Sequence, residues 1–352
     1  MANEPYDLRK VLNELKNEPG QYHETDEPVD PNAELSGVYR YIGAGGTVMR
    51  PTQEGQAMMF NNVKGFADTR VLIGLLASRK RTGLMFHHDY QTLGQFLNDS
   101  VENPVAPVMV NENQAPAHEV IHRSDEDGFD IRKLIAAPTN TEYDAGPYIT
   151  MGLVYGSNMN KTMSDVTIHR MVLEDEDTIG IFIMPGGRHI GAFADEYEKA
   201  NKPMPVTINI GLDPAITLGA TFEPPTTPLG YNELGVAGAI RQEPVQLVDG
   251  VSVDEKAIAR SEFTIEGYIM PNERMQEDIN THTGKAMPEF PGYDGDANPA
   301  VQVIKVKAVT HRKDHPIMQT VIGPSEEHVN LAGVPTEASI LSLTNRAIPG
   351  KS

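Results

Sequence analysis

The chain has 352 residues, enough for two domains with sizeable cores. Its 29 basic and 49 acidic side chains leave a formal charge of −20, which repels a phosphate backbone and excludes non-specific nucleic-acid binding. There is no cysteine, so disulfides, thiolate nucleophiles and Cys-ligated metal centres are excluded, and any metal must sit among His, Asp, Glu or Asn.

The opening MANEPYDLRK lacks the apolar stretch of a signal peptide, and the longest apolar run, 71–77, falls far short of the ~18 residues of a membrane span. No membrane partner is expected, and the expected compartment is the cytoplasm. Asp7 precedes Leu8, Val11, Leu12 and Leu15, an i, i+3, i+4, i+7 stripe that Gly20 can stop, so the chain begins with an amphipathic helix. Residues 57–65 and 70–77 read as strands joined by a Gly-containing turn, the second buried on both faces. RKR at 79–81 reads as a solvated loop, His87-His88 as structural or exposed, and residues 90–101 as a helix. A polar, Pro-bearing stretch at 103–120 then places a domain boundary before Phe129, giving units 1–128, 129–325 and a connecting segment 326–352.

Beyond that boundary eight segments read as strands: 147–157, 165–175, 178–184, 205–211, 245–253, 261–270, 301–309 and 316–323. Short polar turns between them predict a barrel or sandwich. Asp249-Gly250 predicts a two-residue type I′ hairpin, and EDED at 174–177 another turn. Helices are expected near 191–201 and 233–241. The stretch 336–348 reads as a Thr-capped helix with nothing to pack against, from which a continuation is expected.

Strand alternation puts Asp165, Thr167 and His169 on one face and Val166, Ile168 and Arg170 on the other. Arg170 then either reaches the rim to pair with a carboxylate or binds an anion in a pocket. His189 lies just before a helix, after Gly186 and Gly187, where backbone can approach a ligand closely. Glu262 alternates with Thr264 and Glu266, which by itself reads as a solvated face. Were they to converge, Asp165, His189 and Glu262 would offer two carboxylates and an imidazole, a set favouring Mn2+ or Mg2+ over zinc where phosphate oxygens complete the shell. Glu289 and Asp294 stand five apart in PEFPGYDGD, an irregular loop that fits either positioned acid/base carboxylates or an acidic surface. GAGG at 43–46 reads as a turn.

FNNVKG (60–65), DVTIHRMVLED (165–175), RHIGAF (188–193), the long stretch 208–241, SEFTIEGYI (261–269) and PEFPGYDG (288–295) resemble the UbiD-type reversible decarboxylases. The wording is most similar to the large subunit of their phenolic-acid branch. The resemblance implies an α+β fold, an N-terminal α/β domain followed by a split β-barrel that binds flavin, and a C-terminal domain absent from this sequence. It implies prenylated FMN with Mn2+ or Mg2+ and K+, the metal held by Asp165 (where the family has Asn), His189 and Glu262. Cofactor contacts are implied for Thr167, Ile168, His169, Arg170, Arg188, His189, Pro225 and Glu262. The implied catalytic set is Arg170, Glu289 and Asp294: Arg170 holds the substrate carboxylate and orients Glu289, and Glu289 protonates the carbon that CO2 leaves. His328 is a candidate contact to a ring hydroxyl. The implied substrates are gallate, protocatechuate or 4-hydroxybenzoate, the partners a flavin prenyltransferase and further copies of the chain. The alternative is an inactive, truncated chain that binds flavin or a full-length partner only.

Overall fold

Asp7 accepts the Lys10 amide at 2.9 Å and starts the helix Leu8–Leu15, whose Leu8, Val11, Leu12 and Leu15 are all buried. This cap and stripe are as the sequence predicts, because both are local. The computed structural model describes residues 5–42, 55–184, 188–289 and 291–348; Gly186, Gly187 and GAGG at 43–46 lie outside them. Strands Ala57–Phe60 and Arg70–Ile73 pair antiparallel in a four-stranded sheet ordered Tyr22–Thr25, Ala57–Phe60, Arg70–Ile73, Ile317–Gln319. The last strand corrects the expectation for 316–323. It leaves the barrel and lies parallel to Arg70–Ile73, burying Ile317 and Met318 in two different cores.

The main sheet runs Tyr148–Ile149, Met171–Leu173, Thr178–Ile181, Val301–His311, Phe263–Met275, Met204–Ile210, Leu153–Ser157, Ser164–Ile168, with Val120–Arg123 also pairing Val301–His311. Two expected strands are therefore each broken in two, at 150–152 and 169–170. The breaks impose the architecture. Ser164–Ile168 and Met171–Leu173 stand six positions apart in the sheet order, about 29 Å in a flat sheet. Yet only His169 and Arg170 separate them in sequence, a reach of at most about 11 Å. The sheet must curl until its ends face each other across a seam, a split barrel that the chain crosses at 150–152 and at 169–170. Ile149, Val154, Met171, Ile208, Ile265 and Ile304 fill it.

Three further expectations change. The hairpin partner of Gln246–Asp249 is Lys256–Ile258, with residues 250–255 as loop, because the Glu266 carboxylate takes the amides of Val251 (2.8 Å) and Ser252 (2.6 Å) that a second strand would have used. The terminal helix is Glu326–Ala347, capped by Ser325 and passing through Pro335, so Thr336 is mid-helix; it packs on Leu93–Glu102, with Arg346 on Glu102 at 2.6 Å. RKR is no solvated loop. Arg81 is 1% exposed in the helix Arg79–Met85 and donates to the carbonyls of Leu75, Gln21, Gly55 and Gly74 at 2.7–3.1 Å, so burial leaves its guanidinium satisfied. His88 stacks on Phe96 and His87 is exposed, as expected. Among the described residues no helix is long and apolar enough to cross a membrane.

Candidate active site at the barrel seam

Three buried side chains meet beside the seam. Asp165 projects from Ser164–Ile168, His189 opens the helix His189–Lys199, and Glu233 precedes the helix Leu234–Arg241. One ligand atom from each lies within 4.8 Å of the others. Asp165 also accepts the Ile190 amide at 2.7 Å, which ties strand to helix. Burial raises the pKa of Asp165; burial and the Asp165 charge push Glu233 up to about 8. His189 Nε2 and Glu233 Oε2 are buried with no partner. Two carboxylates and an imidazole with orphaned atoms fit a hard divalent cation.

Glu262 does not join this cluster. Its carboxylate is fully buried in a forked pair with Arg9 (2.8 and 2.8 Å), with Arg312 at 3.4 Å and the Ile317 amide at 3.1 Å. It is thus neither a solvated face nor a member of the cation set. Gly211 packs against it with φ +73°, where a Cβ would lie 2.5 Å from Glu262 Cβ. The missed residue, Glu233, carries one sequence signal: it precedes LGVAGAI, a helix apolar nearly all round, so a carboxylate at its start is carried inside.

The seam opens into two connected lobes of about 480 and 390 Å³ that share Thr150, Ile168, Arg188, Glu223, Val321 and His328. Pro225, after a cis bond from Pro224, and Thr226 line the first. His169, Arg170, Phe182 and Glu289 line the second. The Phe182 carbonyl lies 3.1 Å from His169 Nδ1 and can only accept, so Nδ1 carries the proton and Nε2 is a bare, buried acceptor with no partner. Burial lowers this imidazole to about 4, so it is neutral. Thr167 Oγ1 is likewise buried and unpartnered. Arg188 donates to the Phe222 carbonyl at 3.0 Å and pairs with Glu223 at 2.6 Å. His328 stands in the first turn of Glu326–Ala347, its Nδ1 3.1 Å from the Gly323 carbonyl, with burial lowering its pKa.

Arg170 lies in the seam, its guanidinium 4.7 Å from the Phe182 ring centroid, paired with Glu277 at 2.8 Å and with Glu289 at 3.4 Å. Arg170 thus pairs with a carboxylate, as one sequence reading expects, and lines a pocket, the setting that the anion-binding reading requires. Glu289 lies in the loop that joins Lys285–Pro288 to Asp294–Asp296, its amide donating to the Tyr293 carbonyl at 2.8 Å. Asp294 is in the second of these strands, exposed and away from the lobes' walls. The structure therefore brings Arg170 and Glu289 together and leaves Asp294 outside.

Behind the Arg170 pair, Glu174 is 4% exposed and neither carboxylate oxygen has a hydrogen-bond partner. Burial, then the charges of Asp175, Asp278 and Glu277, push it up to about 8. The folded value lies above the unfolded one, so folding keeps a proton that the unfolded chain loses, and stability falls as pH rises from about 4.5 to 8. Glu174→Gln should therefore stabilise the protein by about 1–2 kcal/mol at pH 8, allowing for solvent screening, and not at pH 4.5. Thermal melts of both proteins across that range check it; a gain independent of pH would contradict the assignment.

The sequence and fold agree with known proteins. Residues 13–101 match the 3-octaprenyl-4-hydroxybenzoate carboxy-lyase N-terminal domain, and residues 108–326 match the Rift-related domain of the same carboxy-lyase. The chain belongs to the UbiD family. It is 79% identical over 351 residues to gallate decarboxylase of Lactiplantibacillus plantarum, covering 100% of this chain and 71% of that one. The apo 3,4-dihydroxybenzoic acid decarboxylase of Enterobacter cloacae superposes with a TM-score of 0.93 at 57% identity, over 99% of this chain and 71% of that one. The UbiD-class enzyme HmfF of Pelotomaculum thermopropionicum, solved with prFMN, superposes with a TM-score of 0.87 at 31% identity, over 98% and 74%. This UbiD-family chain is a carboxy-lyase with the mixed α/β fold of that family.

Proposed function

We propose that this chain catalyses the reversible, non-oxidative decarboxylation of a phenolic benzoic acid, with gallate first among gallate, protocatechuate and 4-hydroxybenzoate. The 79% identity to gallate decarboxylase along the whole chain carries this reading. The proposed cofactor is prenylated FMN, made by a flavin prenyltransferase, with Mn2+ or Mg2+ held by Asp165, His189 and Glu233. The two lobes are of a size that suits a flavin and a small aromatic acid, and the orphaned atoms of His169, Thr167 and His189 line or flank them. Prenylated FMN, when bound, supplies the electron sink that a benzoate ring lacks.

The chain's own residues do the rest. Arg170, which lines the lobe beside Glu289, holds the substrate carboxylate. Phe182, Met287 and Val321 wall the lobe and keep bulk water from the reacting carbon. Glu289 carries a proton to the ring carbon as CO2 departs, and takes it back in the carboxylation direction. His328 reaches a ring hydroxyl from the wall shared by both lobes.

The test is CO2 release by protein co-expressed with a flavin prenyltransferase and supplied with Mn2+, offered the three acids separately. Release from gallate above the other two is expected. No release from any of them by protein that carries flavin and metal would overturn the reading.

A further inference from the structure

Among the described residues none before Thr150 lines either lobe, yet the helix Glu326–Ala347 that walls them is held by the loop after Arg70–Ile73. Glu327 is fully buried, and each carboxylate oxygen accepts one amide of that loop: Gly74 at 2.6 Å and Leu76 at 2.9 Å. The turn that presents both amides needs glycine, since Gly74 has φ +82° and a Cβ there would lie 2.2 Å from the Tyr39 hydroxyl. The carbonyls of the loop are bound as well. Arg81 donates to those of Gly74 and Leu75 at 2.7 and 2.9 Å, and Asn330 donates to that of Leu76 at 3.0 Å. A buried cation and a buried carboxylate thus grip opposite groups of one three-residue loop, and neither charge is stranded.

Helix geometry carries this anchor to the lobes. Glu327 and Asn330 face the loop and Val334 continues their stripe into the core, while His328, Leu331, Ala332 and Pro335 recur on the neighbouring flank and line the first lobe. Pro335 has no amide to give the Leu331 carbonyl, which loosens the tie between the first turns and the rest of the helix. The turn that carries His328 therefore depends on its own anchors, the Ser325 cap at 3.3 Å and Glu327.

We propose that Glu327 is a positioning residue of the site: by taking the Gly74 and Leu76 amides it fixes the start of Glu326–Ala347 and so sets the His328 imidazole in the wall shared by both lobes. The inference rests on the decarboxylase reading for what His328 meets there, a ring hydroxyl of the acid. The loop 74–76 and Arg81 touch no substrate; they hold the helix that does, so the imidazole is in place before the acid enters.

Glu327→Gln keeps the shape and turns one acceptor oxygen into a donor that faces a backbone amide. KM for the acid is expected to rise ~10-fold or more, with kcat per bound flavin changing less. A Glu327→Gln, His328→Ala double variant is expected to raise KM no further than His328→Ala alone, since Glu327 acts through the imidazole; a further tenfold rise would overturn the proposal. A residue that served only stability would lower the melting temperature and holo-protein yield and leave KM intact, and that result would overturn it too. A crystal structure of Glu327→Gln reads the positioning without any turnover: the His328 ring is expected to leave its place in the lobe wall, and an unmoved ring would overturn the proposal even if activity fell. Should wild-type protein release no CO2, the decarboxylase reading fails while this structural arm still decides the role of Glu327. If Glu327→Gln does not fold, Asn330→Ala removes the other contact from the same helix face to the loop; a severalfold rise in KM is expected, and an unchanged KM would overturn the proposal.

Discussion

Glu233→Gln should release the divalent cation, weakening its retention ~100-fold or more, whereas Glu262→Ala should leave the cation bound and lower the stability of the fold. The two glutamates differ in what surrounds them. Glu233 faces Asp165 and His189 across less than 4.8 Å, with one oxygen buried and unpartnered. Glu262 faces Arg9, Arg312 and the Ile317 amide, and no oxygen of it is left over for a metal. Its removal leaves Arg9 only the Asp314 carbonyl at 2.7 Å and leaves the buried Ile317 amide unsatisfied, although Arg312 keeps Asp7 at 2.9 Å. Since Arg9 is partly solvated, the cost should be about 2–4 kcal/mol. Metal content after desalting, set beside thermal melts of both variants, separates the two roles. Cation loss in Glu262→Ala with no change in melting temperature would restore the set that the family resemblance implies.

The contrast between these residues marks where the sequence stops being legible. The cap at Asp7, the stripe from Leu8 to Leu15 and most strands are local signals, set by side chains a turn or a pleat apart, and they appear as read. The family motifs likewise point to Asp165, His189, Arg170 and Glu289, and these do gather at the seam. What sequence reasoning missed depends on contacts between distant segments. Arg81 lies in a basic run that reads as surface, and only carbonyls contributed by Gln21, Gly55, Gly74 and Leu75 make its burial tolerable. Glu277 meets Arg170 from 107 positions away in a polar stretch with no motif. Alternation also cannot announce a strand break: 165–175 reads as one strand, and only closure of the sheet turns His169 and Arg170 into the crossing that exposes them to the lobes.

Glu289→Gln should lower CO2 release by ~10²–10⁴-fold while flavin and metal stay bound. In the proposed mechanism this side chain delivers a proton and takes no part in holding the cation. It stands at the turn of a short hairpin, its side chain 30% exposed on the wall of the lobe that Arg170 also lines, and it has no part in the Asp165, His189 and Glu233 cluster. An amide in its place keeps the size and can still accept from Arg170 Nη1, so substrate binding should change much less than turnover. What the amide cannot do is give up a proton to carbon and recover it. Kinetics should therefore show a fall in kcat with KM nearly unmoved, the pattern of a group that acts in the transition state rather than in binding. Asp294→Asn is the matched control: exposed and away from the lobe walls, it should leave turnover close to that of the wild type. Full activity in Glu289→Gln would remove the proton-carrier role, and a large loss in Asp294→Asn would move that role to the second strand of the hairpin.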